Sequence, residues 1–279
     1  MTEESQRRDS PDEAARSHAV EETSSYLGLR ARLRLPTQMI GTFIMIPRVE
    51  IVEMAVIAGF DAVVFDLEHG AINVEDLPPL CAAAAAGGAA TIARIASHRD
   101  IEIGRALDMG VDGIIVPHVS SISTARALVE AGRFPPLGKR SLNPYVRGLH
   151  FAGSEPNALD NANSNAAFIA MIEGSDAVEI AAEIGDINGI DGLFIGPVDL
   201  AGELGFPGQP EHPEVVAVIR KLIARLCERG VATAIYAPNA SAANRWFAEG
   251  VSLVVVSADS AVVIDAFKSL RGMINPLGS

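Results

Sequence analysis

The chain has 279 residues, 49% of them apolar and only 5% aromatic, with a formal net charge of −13 at pH 7. A chain this long buries a large core, and its acidity argues against nucleic acid or an anionic membrane surface as partner, since both are themselves negative. No run of about 18 apolar residues marks a transmembrane helix. The two cysteines, Cys81 and Cys227, sit in helical patterns without a Cys or His at metal-ligand spacing. They read as structural thiols of a reducing cytoplasm.

The opening stretch, MTEESQRRDSPDEAARSHAVEETSS, is polar and mostly acidic and lacks the apolar segment of a signal peptide. Residues 1–30 are expected to form a disordered acidic tail, and residues 31–279 a single domain. From Met39 one unit recurs: a short apolar run, a polar loop, then an amphipathic or alanine-rich helix ending near a glycine. The runs are MIGTFIM (39–45), AVVFDL (62–67), TIARIA (91–96), GIIVPHV (113–119), FIAMIEG (168–174), GLFIGPV (192–198), ATAIYA (232–237) and SLVVVS (252–257). Near-continuous apolar runs alternating with helices indicate parallel strands buried on both faces. Gly59, Gly110, Gly230 and Gly250 precede strands, as helix C-terminal caps do.

Eight such units in about 240 residues predict a (β/α)8 TIM barrel. A doubly wound open sheet is the alternative, but its Gly-rich dinucleotide loop is missing after the first run. Two irregular stretches, 132–165 and 199–213, are long enough to suggest function, and both are expected at the catalytic face.

In a barrel the active site lies at the C-terminal ends of the strands. Asp66, Glu68 and His69 end the second run, Arg94 lies near the end of the third, His118 ends the fourth, Glu173 ends the fifth and Asp199 follows the sixth. Charge is costly in such places unless it is paired or binds something. Glu173 and Asp199, on adjacent strands, suit a hard cation that takes one or two carboxylates plus water and substrate; a pair of salt bridges is the alternative. Arg94 suits a carboxylate or a developing enolate oxygen, or else a structural ion pair. Asp66 and His69 are candidates for an acid–base dyad, with Glu68 as support. The backbone N–H groups of the GPVD turn, including those of Val198 and Asp199, are candidates for holding a substrate carboxylate. The cationic loop GKRSLNPYVRG (138–148), with Lys139, Arg140 and Arg147, suggests an acidic substrate tail, or a solvated loop. Lys139, Lys221 and Lys268 all lie outside the strands, so no Schiff-base lysine is on offer and carbonyl chemistry here should use a metal.

These residues in this order resemble the HpcH/HpaI aldolases, the metal-dependent class II pyruvate aldolases. The resemblance rests on FDLEHG (65–70), Arg94, LDMGVDGIIVP (107–117), MIEG (171–174) and DGLFIGPVDLAGELG (191–205), and spans residues 38 to 270. It implies a barrel that assembles as a homo-hexamer with an exchanged C-terminal helix. It implies that Glu173 and Asp199 bind Mg2+, Mn2+ or Co2+, and that Arg94 contacts the oxo or enolate oxygen of a 2-oxo acid. By the same likeness His69 and Asp66 do acid–base work on the aldol hydroxyl, and the backbone of Val198 and Asp199 holds the carboxylate. Asp108 matches an aspartate that a neighbouring subunit contributes. The expected reaction is reversible cleavage of a 4-hydroxy-2-oxo acid to pyruvate and an aldehyde. An oxaloacetate decarboxylase or citrate-type synthase on the same site is the alternative, and a non-catalytic metabolite-binding barrel the more distant one. The chain departs from the family in IASHRD after Arg94, where a proline- and tryptophan-containing segment is common, and in His118, where a less polar residue is common. Both departures leave the aldehyde open.

Overall fold

In the computed structural model, which describes residues 28–274, each of the eight apolar runs is a strand. They are β1 Met39–Ile44, β2 Ala62–Asp66, β3 Ala90–Arg94, β4 Gly113–Val116, β5 Ala167–Ile172, β6 Gly192–Ile195, β7 Thr233–Ala237 and β8 Leu253–Ala258. All pair in parallel, and β8 returns to β1, closing the barrel in sequence order. Closure removes the doubly wound sheet from consideration. The helices are α1 Leu29–Arg32, α2 Val49–Ile57, α3 Leu77–Ala86, α4 Asp100–Asp108, α5 Ile122–Gly132, α6 Ala158–Asn165, α7 Ser175–Gly185, α8 Pro197–Glu203, α9 Pro213–Glu228, α10 Ala240–Ala248 and α11 Asp259–Gly272. Gly59 and Gly110, just past α2 and α4, both have φ of +93°, the left-handed geometry that lets a helix stop short of the next strand. No described helix is long and apolar enough to cross a membrane.

Side-chain direction alternates along a strand, and this parity divides the core. Val63, Phe65, Ala93, Ile114, Ala170 and Ile195 point outward into the layer beneath the helices. Ala62, Val64, Ala90, Ile92, Ile115, Ile169, Met171 and Phe194 fill the barrel itself. Extending the inward series one step past Val64, Ile92 and Met171 reaches Asp66, Arg94 and Glu173. A period of two residues therefore aims three charges at one mouth.

The opposite end is closed. Leu29 and Leu33 are buried with the barrel interior, and a Cβ on Gly113, the first residue of β4, would lie 2.8 Å from Leu29. Beside them Asp191, just before β6, is fully buried and binds Arg30, Arg34 and Arg133. The Arg133 guanidinium also donates to the carbonyls of Asn163, Ala166 and Gly189 and lies over the Phe168 ring. Burial depresses the Arg133 pKa to about 10, against the opposing pull of Asp191, so the guanidinium stays charged at neutral pH. The tail expected over 1–30 is therefore corrected at its end: residues 28–30 belong to the fold, because Leu29 plugs the floor and Arg30 neutralises Asp191. Residues 1–27 of that expectation lie outside the described residues.

The stretch 132–165 is also corrected. It follows α5, and a helix of a βα unit carries the chain back to the N-terminal ends of the strands. The stretch therefore lies on the floor side, where it forms α6 before entering β5. The stretch 199–213 follows β6 and does lie at the mouth, partly as α8. Along α11 only Asp259 is buried, while Val262, Phe267 and Leu270 stand more than half exposed.

The floor cluster makes a stability prediction. Removing one partner of a buried ion pair strands the other charge, at a cost of about 3–5 kcal/mol. Asp191→Ala is expected to lose stability of that order, read as a lower urea midpoint, whereas Asp186→Ala, at an exposed pair with Arg229, should leave the midpoint within error.

Candidate active site

The mouth is organised by Asp66. Strand register places it directly beside Arg94 on β3. Its carboxylate accepts Arg94 Nε at 2.9 Å and Nη2 at 2.6 Å, a two-point fork. The same Oδ1 accepts the backbone N–H groups of Glu68 and His69, both at 3.1 Å. The expected Asp66–His69 side-chain dyad is thus corrected. Four donors already occupy the Asp66 carboxylate, and what it holds of His69 is the backbone. The His69 imidazole is mostly exposed and lies 3.7 Å from Glu68 Oε2. Arg94 lies over the Phe43 ring, 4.8 Å from guanidinium to centroid. Among the described residues nothing accepts a hydrogen bond from its Nη1, which leaves one donor of a rigid fork for a ligand.

Glu68 is the second hub. Its Oε2 lies 3.4 Å from Arg94 Nε and its Oε1 lies 3.3 Å from His118 Nε2. The support role expected of Glu68 therefore runs through His118 as well as Arg94. His118 lies two residues beyond the end of β4, with φ of +56°. Strand parity alone would turn it outward, and the left-handed backbone carries it back over the mouth. There both its backbone N–H and its Nδ1 lie 2.6 Å from Glu173 Oε1.

Glu173 follows the last residue of β5 and is 7% exposed. Burial pushes its carboxyl above the ordinary range. The N–H and ring of His118 pull it down, and the charges of Asp199 and Glu68 push it up again. Asp199 sits in the first turn of α8. Gly196, just before that helix, is required where it is: a Cβ there would lie 2.8 Å from the Glu173 Cβ and 3.2 Å from its Oε2. Buried Glu173 thus feels the charges of half-buried Glu68 and exposed Asp199, a repulsion that a cation would relieve. Among the described residues no group of three or more His, Cys, Asp or Glu stands in metal-ligand geometry. Glu173 and Asp199 could still supply two carboxylates to a hard cation that keeps water or substrate oxygens in most of its shell.

Beside these charges opens a cavity of about 320 Å³, whose lining includes Asp66, His69, Arg94, Val198 and Asp199. Its remaining wall is apolar, with Phe43, Met45, Met171, Phe194, Tyr236 and Ala258. Sequence reasoning passed over these wall residues, although inward parity at the strand ends marks Phe43, Met171, Phe194 and Tyr236. No lysine lines the cavity, in keeping with the expected absence of one on the strands. The backbone N–H groups of Val198 and Asp199 fall in the first turn of α8, where a helix has no internal partner for them.

Two expected residues are elsewhere in the single chain. Asp108 ends α4, on the floor side, and binds Arg140 at 2.5 Å. Arg140 is buried, with its guanidinium 4.5 Å from the Phe134 ring. Arg140 as a residue of this chain's own substrate site is corrected, since its loop lies at the opposite end of the barrel and its charge is taken by Asp108.

The family model described as HpcH/HpaI aldolase/citrate lyase matches residues 39–266. Over 241 residues the chain is 36% identical to a pyruvate aldolase of Rhizobium etli, covering 86% of this chain and 94% of that protein. It is 31% identical to a 4-hydroxy-2-oxo-heptane-1,7-dioate aldolase of Escherichia coli, covering 86% and 92%. Among solved structures, the citrate synthase SbnG superposes with a TM-score of 0.79 at 31% identity, covering 88% of this chain and 96% of that one.

The raised Glu173 carboxyl has a consequence for stability. A group that holds its proton more tightly when folded contributes stability that is present at low pH and lost as pH rises through its folded pKa. The metal-free protein therefore loses stability as pH rises through the raised Glu173 pKa. Glu173→Gln is expected to raise the melting temperature of the EDTA-treated protein at pH 7.5. The gain should shrink as the pH is lowered into the ordinary carboxylate range, and a melting curve at each pH checks it.

Proposed function

The chain belongs to the HpcH/HpaI aldolase/citrate lyase family, and from that premise we propose that it is a metal-dependent class II aldolase. It reversibly cleaves a 4-hydroxy-2-oxo acid to pyruvate and an aldehyde. The observation that carries this reading is the Asp66-held fork of Arg94, in one lysine-free mouth with Glu173 and Asp199.

Bound by Glu173 and Asp199, a divalent cation (Mg2+, Mn2+ or Co2+) supplies Lewis-acid polarisation of the 2-oxo group. The free Nη1 of Arg94 donates to the 2-oxo oxygen and stabilises it as negative charge develops. The N–H groups of Val198 and Asp199 hold the carboxylate. His69 takes the proton from the 4-hydroxyl, directly or through a water. The C3–C4 bond then breaks, the aldehyde forms at C4, and the bonding pair passes to the pyruvate enolate. Protonation at C3 gives pyruvate. Asp66 touches no substrate in this scheme; it fixes Arg94 and the 68–69 backbone. The apolar wall formed by Phe43, Phe194 and Tyr236 takes the aldehyde's carbon chain.

We also propose assembly as a homo-hexamer with α11 exchanged, which would cover the apolar side chains of Val262, Phe267 and Leu270. Asp108, remote from its own mouth, would then serve a neighbour's. The two free thiols, Cys81 and Cys227, support a cytoplasmic home. The likeness to a citrate synthase favours one alternative on the same site, in which oxaloacetate supplies the enolate by decarboxylation or carries it to another acceptor.

The test is hydrogen–deuterium exchange at the pyruvate methyl, followed by NMR with Mg2+ or Mn2+, with EDTA, and in Glu173→Ala. Exchange that requires both cation and Glu173 is expected. Arg94→Lys, which loses the fork, should slow it about 10²–10³-fold. Absence of exchange with any metal, together with rapid oxaloacetate consumption, would overturn the aldolase in favour of the alternative.

A further inference from the structure

His118 is a polar residue at the mouth to which the proposed reaction assigns no part. Its geometry is nonetheless specific. Glu173 Oε1 accepts the backbone N–H of this residue and lies beside its Nδ1, each at 2.6 Å. The backbone φ of +56° brings both onto one oxygen. On its other side the ring is held by Glu68 Oε1, 3.3 Å from Nε2. The second carboxylate oxygen of Glu173 is placed differently. Oε2 lies within 3.2 Å of where a Cβ on Gly196 would stand, at the entry to the turn that carries Asp199.

We propose that His118 is a positioning residue that saturates Glu173 Oε1 and so makes Glu173 a one-oxygen ligand, through Oε2, for the cation it shares with Asp199. This rests on the metal site proposed above. A carboxylate with one oxygen engaged in this way is a poorer chelator. Ca2+, which accepts bidentate carboxylates and a large flexible shell, loses more by that than Mg2+ or Mn2+, which take six ligands in near-octahedral order. His118 thereby contributes to cation choice as well as to affinity. Partners that orient a metal ligand typically account for 10–100-fold in metal affinity.

The test uses the full-length protein and needs no turnover. Mn2+ binding is followed by the electron paramagnetic resonance signal of the free ion, alone and in competition with Ca2+, for the wild type, His118→Gly and His118→Asn. Glycine keeps the left-handed backbone and removes the ring. Asparagine tolerates that backbone and offers an amide donor the same number of bonds from Cα as Nδ1. His118→Gly is expected to weaken Mn2+ binding at least tenfold and to narrow the preference for Mn2+ over Ca2+. His118→Asn is expected to restore most of both. Wild-type affinity and preference in His118→Gly would overturn the role of His118 while leaving the metal site standing. Equal losses in His118→Gly and His118→Asn would overturn it too, since the ring would then act through packing. A wild type that binds no Mn2+ would overturn the metal site itself and this inference with it.

Discussion

The arrangement at the mouth depends on the neutralisation of Asp66. A carboxylate 1% exposed at the top of a barrel is tolerated only if its charge and lone pairs are taken up. Arg94 takes two bonds, and the Glu68 and His69 backbones take the rest. This satisfies Asp66, freezes the Arg94 fork in one orientation, and folds the chain after β2 so that Glu68 and His69 stand over the opening. The pair is also tolerant of its surroundings, because strand register sets Asp66 and Arg94 side by side before any loop contributes. Their geometry is a property of the barrel more than of its decorations.

Around that fixed pair the charge is deliberately unbalanced. Glu68, Glu173 and Asp199 gather within mutual influence, countered at close range by Arg94 and His118. Burial first, and then the charges of Asp199 and Glu68, make the Glu173 carboxyl hold its proton more tightly than a free glutamate does. A site of this kind stores electrostatic tension in its metal-free form and releases it when positive charge arrives. The floor cluster works the other way. Asp191 has three guanidiniums for its one charge, so that end of the barrel is saturated and rigid, with no demand for a ligand.

Much of this was legible in the sequence. The eight strands, the closing glycines and the convergence of Asp66, Arg94, Glu173 and Asp199 all follow from parity and from where charges interrupt apolar runs. What the sequence concealed has physical causes. The Asp66–His69 dyad looked natural because the residues are close in the chain. Arg94, remote in sequence but adjacent in register, is the better partner for a buried carboxylate. The cationic loop is expected at the mouth because it belongs to a long irregular stretch. Its position between a helix and the next strand puts it on the floor, and chain direction overrides length. His118 reaches the site through a left-handed backbone that no apolar pattern announces. Leu29 and Arg30 were hidden at the edge of a polar stretch, since a single leucine carries no periodicity.

The closed floor governs traffic. With Leu29 and Leu33 filling the far end of the barrel, the cavity has one doorway among the described residues, and both halves of the substrate must share it. Of the groups that would grip the oxo acid, Glu173 is buried and Arg94 half-buried, whereas the rings of His69 and His118 stand about two-thirds exposed. In the proposed reaction the oxo acid and the aldehyde would both pass these two rings on the way in and out, so neither half has a route of its own.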